Sequence, residues 1–294
     1  MGNSWVEDIE FNNYSCYNQI NERVEYATNC ISLYVVLTRE CNVKCKFCTF
    51  RGKTEEIDIE CFKERFRELL KVTDISTVHF TGGEPSLRVE TLKELCRFIK
   101  EETKGFTGTS INTNGSNLDK LSGIEELDNI ALSRHHYNDE KNKELFGSEE
   151  VPSKEDIKRF KDADKIHLSC NIVKGYIDNA EEIKKYLEFA SEVGCNDVGF
   201  VSLMEVNDYC KEHYVDFKDI DIESIETLQK TRHFYKTDEC NKEICRCANF
   251  LYIAKDMRLI SIYHRYAVAN KSISDYLVYE NNHIKQGFSG KEII

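Results

Sequence analysis

The chain has 294 residues, enough to bury a full hydrophobic core, and its formal net charge is −12. An acidic balance of this size disfavours nucleic acid as a partner, because nucleic-acid binding needs a clustered basic footprint. The longest mostly apolar stretch, Ile31 to Leu37, is too short to cross a bilayer, and the amino-terminal segment carries acidic residues without an apolar signal core. We therefore expect a cytoplasmic protein that does not enter a membrane.

Cysteine is unusually frequent, with 13 residues in the chain. An odd number of cysteines without a signal peptide indicates metal ligation in a reducing compartment rather than a disulfide framework. Two dense groups stand out, at 41–48 and at 240–247. Four others are expected to be small buried hydrophobes: Cys61, Cys96, Cys170 and Cys195.

Short apolar runs recur through the first two-thirds of the chain and alternate with amphipathic helical patterns. This βα order predicts an α/β fold, a partial (β/α)6 TIM-like barrel whose ligand site lies at the carboxyl ends of the strands. The predicted strands are Ile31–Leu37, Thr77–Phe80, Thr107–Asn112, Ile130–Ser133, Ile166–Val173 and Asp197–Leu203. The clearest predicted helices are Glu60–Lys71, Glu90–Thr103 and Asn179–Val193.

Three regions follow from this pattern. Residues 1–30 form an amino-terminal segment, and residues 31–204 form the barrel core. The clear alternation is lost after Met204, so residues 205–294 are interpreted as a carboxyl-terminal extension that covers the barrel mouth.

The first strand leads into a loop that carries Cys41, Cys45 and Cys48 with the spacing C-x3-C-x2-C. Three thiolates this close together can hold a [4Fe–4S] cluster and leave the fourth iron without a protein ligand. Such an open coordination position can bind a cofactor or a substrate directly. The alternative is a zinc loop, but structural zinc usually takes four ligands in two pairs, and no partner pair follows at the usual distance.

This loop resembles the hallmark of the radical S-adenosylmethionine (radical SAM) superfamily, C-x3-C-x-aromatic-C, with Phe47 as the aromatic residue. The resemblance implies that the open iron binds S-adenosylmethionine (SAM). It also implies that a flavodoxin- or ferredoxin-type donor supplies one electron, and that a 5′-deoxyadenosyl radical then abstracts a hydrogen atom from the substrate.

The second strand is followed by Gly82, Gly83, Glu84 and Pro85. Two glycines let a backbone approach a ligand closely, and a glutamate carboxylate can accept hydrogen bonds from an ammonium group. By itself the sequence is also compatible with an ordinary turn. It resembles the GGEP motif of the superfamily at this position, which implies that these residues hold the amino group of SAM.

The third and fourth strands end in polar residues. The third strand runs into Asn112-Thr-Asn114-Gly, which resembles the T-N-G of many members of the superfamily, and Ser133 ends the fourth. The resemblance implies that these side chains contact SAM. Arg134 and His135 depart from the Ser-Leu-Asp of many relatives and are interpreted as facing the substrate. The alternative is that the paired histidines, His135 and His136, are satisfied surface residues.

The fifth and sixth strands resemble the branch that contains the GTP cyclase of molybdenum-cofactor biosynthesis. The resemblance implies that Asn171 contacts SAM and that Val201 and Leu203 pack against its adenine. The alternative is that these residues belong to buried parallel strands, which are apolar in any case. The chain ends without the double glycine of that cyclase, which argues against the cyclase reaction itself.

The second dense cysteine group is interpreted as an auxiliary-cluster (SPASM/twitch-type) region. Cys240, Cys245 and Cys247 would supply three ligands to a second iron–sulfur cluster, with Cys210 or Cys30 as the fourth. Zinc, or thiols without a metal, are the alternatives. The stretch that begins at Phe250 resembles the hairpin that follows such cysteines.

The sequence thus predicts a radical SAM enzyme that uses a [4Fe–4S] cluster, SAM and a peptide or small-molecule substrate. A nucleotide-modifying enzyme related to the GTP cyclase is the nearest alternative. A non-catalytic metal-binding regulator would explain the cysteines but not the GGEP turn. A redox carrier would normally give its cluster four thiolates.

Overall fold

The computed structural model describes residues 30–50, 52–53, 55–230, 248–266 and 276–287. Cys240, Cys245 and Cys247 lie outside the described residues, as does the amino-terminal segment before residue 30. Within the described part of the chain, no helix is both long enough and apolar enough to span a bilayer.

All six predicted strands are present, with ends that differ from the prediction by a few residues at most. They lie side by side in chain order and run parallel, as repeated strand–helix units require. The sheet is open rather than closed, which confirms the predicted partial barrel. The strands are β1 (Cys30–Thr38), β2 (Asp74–Gly82), β3 (Gly108–Thr113), β4 (Asn129–Ser133), β5 (Ile166–Ile172) and β6 (Asp197–Ser202).

Helices and short 3₁₀ turns connect these strands. The three predicted helices are α1, α2 and α6, and each buries one apolar face against the sheet. Their starts are fixed where the sequence offers a capping residue: Asp58 accepts from the Cys61 N–H of α1 at 3.0 Å, and Asn179 accepts from the Glu182 N–H of α6 at 3.1 Å. The helices are α1 (Ile59–Leu70), α2 (Val89–Glu102), α3 (Leu118–Leu121), α4 (Asp139–Phe146), α5 (Lys154–Arg159), α6 (Ala180–Glu192) and α7 (Asp208–Glu212).

The carboxyl-terminal extension continues the same sheet at both of its edges. Strand β9 runs parallel to β6, with β8 and β7 antiparallel beyond it, and β10 runs parallel to β1, with β11 beyond it. The sequence analysis placed the extension over the barrel mouth. The described strands of the extension lie instead beside the barrel strands, at the two edges of the sheet. The hairpin expected from Phe250 onward is β8–β9. These strands are β7 (Leu228–Lys230), β8 (Ala248–Ile253), β9 (Leu259–Tyr266), β10 (Tyr276–Glu280) and β11 (His283–Gln286).

The two faces of the parallel sheet differ in polarity because side chains alternate along each strand. One face is apolar and packs under the helices, for example through Phe80, Leu132 and Phe200. The opposite face, here called the inner face, carries aromatic and polar side chains, among them Tyr34, His79, Asn112, Ser133 and Asn171.

Three cysteines expected in the core are there. Cys96, Cys170 and Cys195 are buried, and burial raises the pKa of the Cys96 thiol to about 12 and that of Cys195 to about 11. Such thiols remain protonated and unreactive at neutral pH. Cys61 is half-buried on α1.

Candidate active site

The loop with Cys41, Cys45 and Cys48 follows β1 at the carboxyl edge of the parallel strands. The backbone N–H of Lys44 donates to the Phe146 carbonyl at 2.8 Å, and Cys45 is buried in a small apolar cluster with Phe146. Cys41 and Cys48 are half-buried at the margin of this cluster. The end of α4 therefore supports the loop from one side.

The donor set of this loop fits an iron–sulfur cluster. Soft thiolates are the ligands that such clusters take, and hydrogen bonds to sulfur help to set their properties. The Phe50 N–H lies 3.4 Å from the Cys48 sulfur, and the Asn114 amide nitrogen lies 4.0 Å from the Cys41 sulfur. Within the described residues, no three His, Cys, Asp or Glu side chains converge on a single metal ion. A [4Fe–4S] cluster does not require that convergence, because each thiolate binds a different iron.

Gly82 and Gly83 bring the end of β2 against the segment that leads into Cys41. The Gly83 N–H donates to the Thr38 carbonyl at 2.7 Å, and the next N–H donates to the Glu40 carbonyl at 2.7 Å. A Cβ atom on Gly82 would lie 2.0 Å from the Thr38 oxygen, and one on Gly83 would lie 2.2 Å from the Glu40 oxygen. The close approach that these glycines permit is therefore an approach to the protein's own backbone.

Glu84 has no exposed surface, and its carboxylate is engaged by the protein's own donors. It accepts from the Thr113 hydroxyl and the Asn114 N–H, both at 2.7 Å, and from the Ser86 N–H at 2.9 Å. Burial raises the pKa of Glu84, and the accepted hydrogen bonds oppose that rise. Glu84 thereby ties the β2 turn to the end of β3. Its contact with the amino group of SAM stays a prediction.

Glu84→Gln is expected to reduce the free energy of unfolding by about 1–3 kcal/mol, because the amide would turn an N–H toward the Asn114 N–H and leave that buried donor unsatisfied. Urea denaturation measures the change. Glu90→Gln, on the exposed first turn of α2, is the matched control and should shift the free energy by less than about 0.5 kcal/mol. Equal effects of the two substitutions would contradict the assignment.

Three of the predicted SAM contacts lie on the inner face near the carboxyl ends of their strands. Asn112, Ser133 and Asn171 are half-buried, and none of the described residues hydrogen bonds to their side chains. Val201 is buried on the same face beside Asn171. These side chains are therefore available to a ligand.

Four further predicted contacts are engaged within the protein. Asn114 donates to the Asn42 side chain at 3.0 Å, and its carbonyl oxygen accepts from the Ser116 N–H at 2.8 Å. Leu203 and Phe47 share an apolar cluster, in which Phe47 also meets the His135 ring edge-on at 5.0 Å. Pro85 is buried at the start of a 3₁₀ turn.

Arg134 does not face a substrate, so that interpretation is wrong. Its side chain is 1% exposed and donates to the carbonyls of His136 at 2.8 Å and Pro152 at 2.7 Å, and it also pairs with Asp139. The cation organises the turn between β4 and α4.

His135 is also buried and is used within the protein. Its Nδ1 accepts from the Asn171 N–H at 3.1 Å, and its ring stacks on Phe146 at 4.7 Å. Burial, followed by the charge of Arg134, lowers the pKa of His135 to about 3, so the ring is neutral. His135 links the end of β5 to the apolar cluster under the cysteine loop.

Cys210 lies against the first cysteine loop. Its side chain is buried, and its sulfur is 3.6 Å from the Phe47 carbonyl oxygen. On the same short helix end, the Asn207 amide donates to the Lys46 carbonyl at 3.2 Å. The segment after β6 therefore braces the loop, and the described contacts of Cys210 are with this loop.

A chain of three ionisable side chains on the inner face was missed by the sequence analysis. The Tyr263 hydroxyl lies 2.9 Å from His167 Nε2, and His167 Nδ1 lies 2.9 Å from the Asp197 carboxylate. A Cβ on Gly199 would lie 2.5 Å from the Tyr263 ring, so this glycine makes room for the phenol. A glycine inside a strand was the available signal. The Tyr263–His167 contact is a hydrogen bond, whereas His167 Nδ1 and the Asp197 carboxylate are close without hydrogen-bond geometry.

Comparison with known proteins agrees with this arrangement. The sequence profile of the radical SAM superfamily matches residues 35–190. The protein is therefore a radical SAM enzyme, a member of that superfamily, and its cofactors are a [4Fe–4S] cluster and SAM.

Within the superfamily, the chain is similar to proteins described as probable GTP 3′,8-cyclases. A probable GTP 3′,8-cyclase of Saccharolobus islandicus (strain L.S.2.15 / Lassen #1) is 32% identical over 181 residues, which are 59% of this chain and 57% of that relative. One from Saccharolobus solfataricus is 30% identical over 215 residues, 69% of this chain and 68% of that protein. The chain thus spans little more than half the length of the first of these relatives.

Solved structures share the fold at low identity. Streptococcus suis SuiB bound to S-adenosylmethionine has a TM-score of 0.52 and 21% identity, over 64% of this chain and 44% of that one. Native anSMEcpe with bound AdoMet and the Cp18Cys peptide has a TM-score of 0.50 and 18% identity, over 61% of this chain and 55% of that one.

Proposed function

We propose that Cys41, Cys45 and Cys48 hold the [4Fe–4S] cluster and that SAM binds on the inner face beside Asn112, Ser133 and Asn171. When bound, the cluster and SAM supply a 5′-deoxyadenosyl radical that abstracts a hydrogen atom from a peptide or small-molecule substrate. The observation that carries this proposal is the position of the cysteine loop at the strand edge where these three polar side chains have no partner among the described residues.

The protein's part in this reaction is to position and shield the reactants. The amide and hydroxyl groups of Asn112, Ser133 and Asn171 orient the polar parts of SAM, while Val201 offers an apolar contact. The apolar cluster around Phe47 limits access of water to the cysteine loop.

Electron delivery is proposed at the outer side of the loop. Lys44 and Lys46 are exposed on either side of the buried Cys45. Their ammonium groups would attract an acidic electron donor of the flavodoxin or ferredoxin type, and such complementarity mainly raises the association rate.

Anaerobic reconstitution tests the assignment of the cluster ligands. The wild-type protein is expected to take up one four-iron cluster from the first cysteine group, and to form 5′-deoxyadenosine when it is reduced in the presence of SAM. Cys48→Ala should lose both properties, because it removes one of three thiolates, whereas Cys61→Ala on α1 should retain them. Iron and sulfide counting, with mass spectrometry of the nucleoside, provides the readouts. Tightly bound zinc in the wild-type protein, or no SAM cleavage, would refute the proposal.

A nucleotide substrate is the second candidate, and the probable GTP 3′,8-cyclases among the relatives favour it. Equilibrium dialysis of the reconstituted protein with GTP tests it directly. Saturable GTP binding would support a nucleotide-modifying enzyme, and its absence would leave a peptide or another small molecule as the substrate.

A further inference from the structure

The carboxyl-terminal hairpin β10–β11 packs beside the strand that leads into the cysteine loop. Strand β10 pairs with β1 in parallel, from Ser32↔Tyr276 to Val35↔Tyr279. The hairpin turns at Asn281 and Asn282, whose φ angles are +51° and +63°. Asparagine tolerates this left-handed region well, and two such residues are typical of a tight two-residue hairpin turn.

The turn of this hairpin holds the chain that leaves the cysteine loop. The Asn281 side-chain oxygen accepts from the Glu55 N–H at 3.2 Å, and that of Asn282 accepts from the Asp58 N–H at 2.9 Å. Asp58 is also the residue that caps α1. The path from the loop to α1 is therefore fixed by two asparagines that are more than 200 residues away in sequence.

Glu280, the last residue of β10, reaches the other end of the same loop. Its side chain is 3% exposed, and its carboxylate accepts from Arg39 Nε at 2.5 Å, with Lys285 Nζ at 3.3 Å from its second oxygen. Burial by itself would raise the pKa of Glu280, but the hydrogen bonds and charges of Arg39 and Lys285 hold it below its ordinary value. The carboxylate is thus ionised and paired.

Arg39, the partner of Glu280, lies close to both ends of the cysteine loop. It lies two residues before Cys41, and its guanidinium carbon lies 4.3 Å from the centre of the Phe50 ring, two residues after Cys48. The Phe50 N–H is in turn the group that approaches the Cys48 sulfur. A planar cation over an aromatic face is favourable, and here the buried carboxylate fixes its orientation.

We infer that Glu280 is a positioning residue for the cluster, acting through Arg39 and Phe50 to fix the spacing of Cys41 and Cys48. This inference rests on the proposed function, because it takes these cysteines as the cluster ligands. It makes the carboxyl-terminal hairpin part of the cluster site, although the hairpin itself supplies no ligand there.

Glu280→Gln tests the inference, with reconstituted wild-type protein as the reference. The amide is a weaker acceptor for Arg39 and carries no charge, so the variant is expected to load the cluster with altered EPR g-values and to release iron faster to a chelator. Arg39→Lys is the second variant: it keeps the positive charge but removes the planar group over Phe50, and it should change the same two readouts. Glu126→Gln is the matched control, since Glu126 pairs with Arg97 on the exposed side of α2.

The double variant separates a shared action from two local ones. If Glu280 acts through Arg39, the effects of the two substitutions on iron release are less than additive. EPR spectra and iron-release rates equal to those of wild type in both variants would overturn the inference while leaving the proposed function intact. If Glu280→Gln does not fold, Arg39→Lys decides alone. A wild-type protein that assembles no cluster would instead refute the proposed function, and the inference with it.

Discussion

Gly83→Ala is expected to abolish retention of the [4Fe–4S] cluster and, with it, formation of 5′-deoxyadenosine. The new methyl group would lie 2.2 Å from the Glu40 carbonyl oxygen and 2.5 Å from that of Arg39. Both contacts are with backbone, so no side-chain rotation can relieve them. The end of β2 and the segment before Cys41 must separate, which breaks the pair of 2.7 Å hydrogen bonds that joins them.

The substitution is expected to affect the cluster more than the fold, because the segment it displaces leads directly into the cysteine loop. Overpacking of a close contact typically costs about 1–3 kcal/mol, so the protein should still fold. The displaced segment carries Arg39 and Cys41, however, and a cluster that depends on three thiolates tolerates little change in their spacing. We therefore expect Gly83→Ala to fold, to melt at a lower temperature than the wild-type protein, and to retain no iron above background at this site.

The control for this experiment is Gly108→Ala at the start of β3. A Cβ there would meet its nearest neighbours at 3.5 Å, an ordinary van der Waals contact. This variant should load iron and cleave SAM like the wild-type protein. Wild-type iron content in Gly83→Ala would show that the close contact at this turn does not control the cysteine loop.

The six barrel strands could be predicted because each is a short apolar run followed by a helical period, and both signals are local. The strands at the sheet edges could not. Strand β10 pairs with β1 across more than 200 residues of chain, and nothing in its own sequence specifies that partner. Strand β9 was visible as half of a hairpin, but its place beside β6 depends on the unpaired edge that β6 offers.

The site shows the same division. The proposal that Cys41, Cys45 and Cys48 are the cluster ligands comes from their spacing, which is a property of the sequence. The function of Arg134 was misjudged, and the internal partners of Glu84 were not foreseen, because the sequence does not show which groups a charged side chain pairs with. The partners of Arg134 include the carbonyl of Pro152, 18 residues away, and those of Glu84 lie at the end of β3. Whether a charge is satisfied is decided by tertiary structure.

Arg134→Met is expected to lower the free energy of unfolding by about 2–6 kcal/mol, because two buried carbonyls lose their donor and each unsatisfied buried group costs about 1–3 kcal/mol. Methionine has a similar length but no hydrogen-bond donors. The carbonyls of His136 and Pro152 would lose their donor inside the protein, and Asp139 would lose its cation. Urea denaturation of the protein without its cluster measures this loss separately from metal binding.

The effect of Arg134→Met on the cluster site should be indirect and should follow from the turn that Arg134 organises. His135, the next residue, stacks on Phe146 and meets Phe47 edge-on. We therefore expect slower cluster assembly, but wild-type EPR g-values once the cluster is in place, since no loop contact of Arg39 or Phe50 has changed. Arg97→Met, at an exposed position on α2, is the control and should change stability by less than about 0.5 kcal/mol. A similarly small loss for Arg134→Met would mean that the buried hydrogen bonds of this guanidinium do not stabilise the fold.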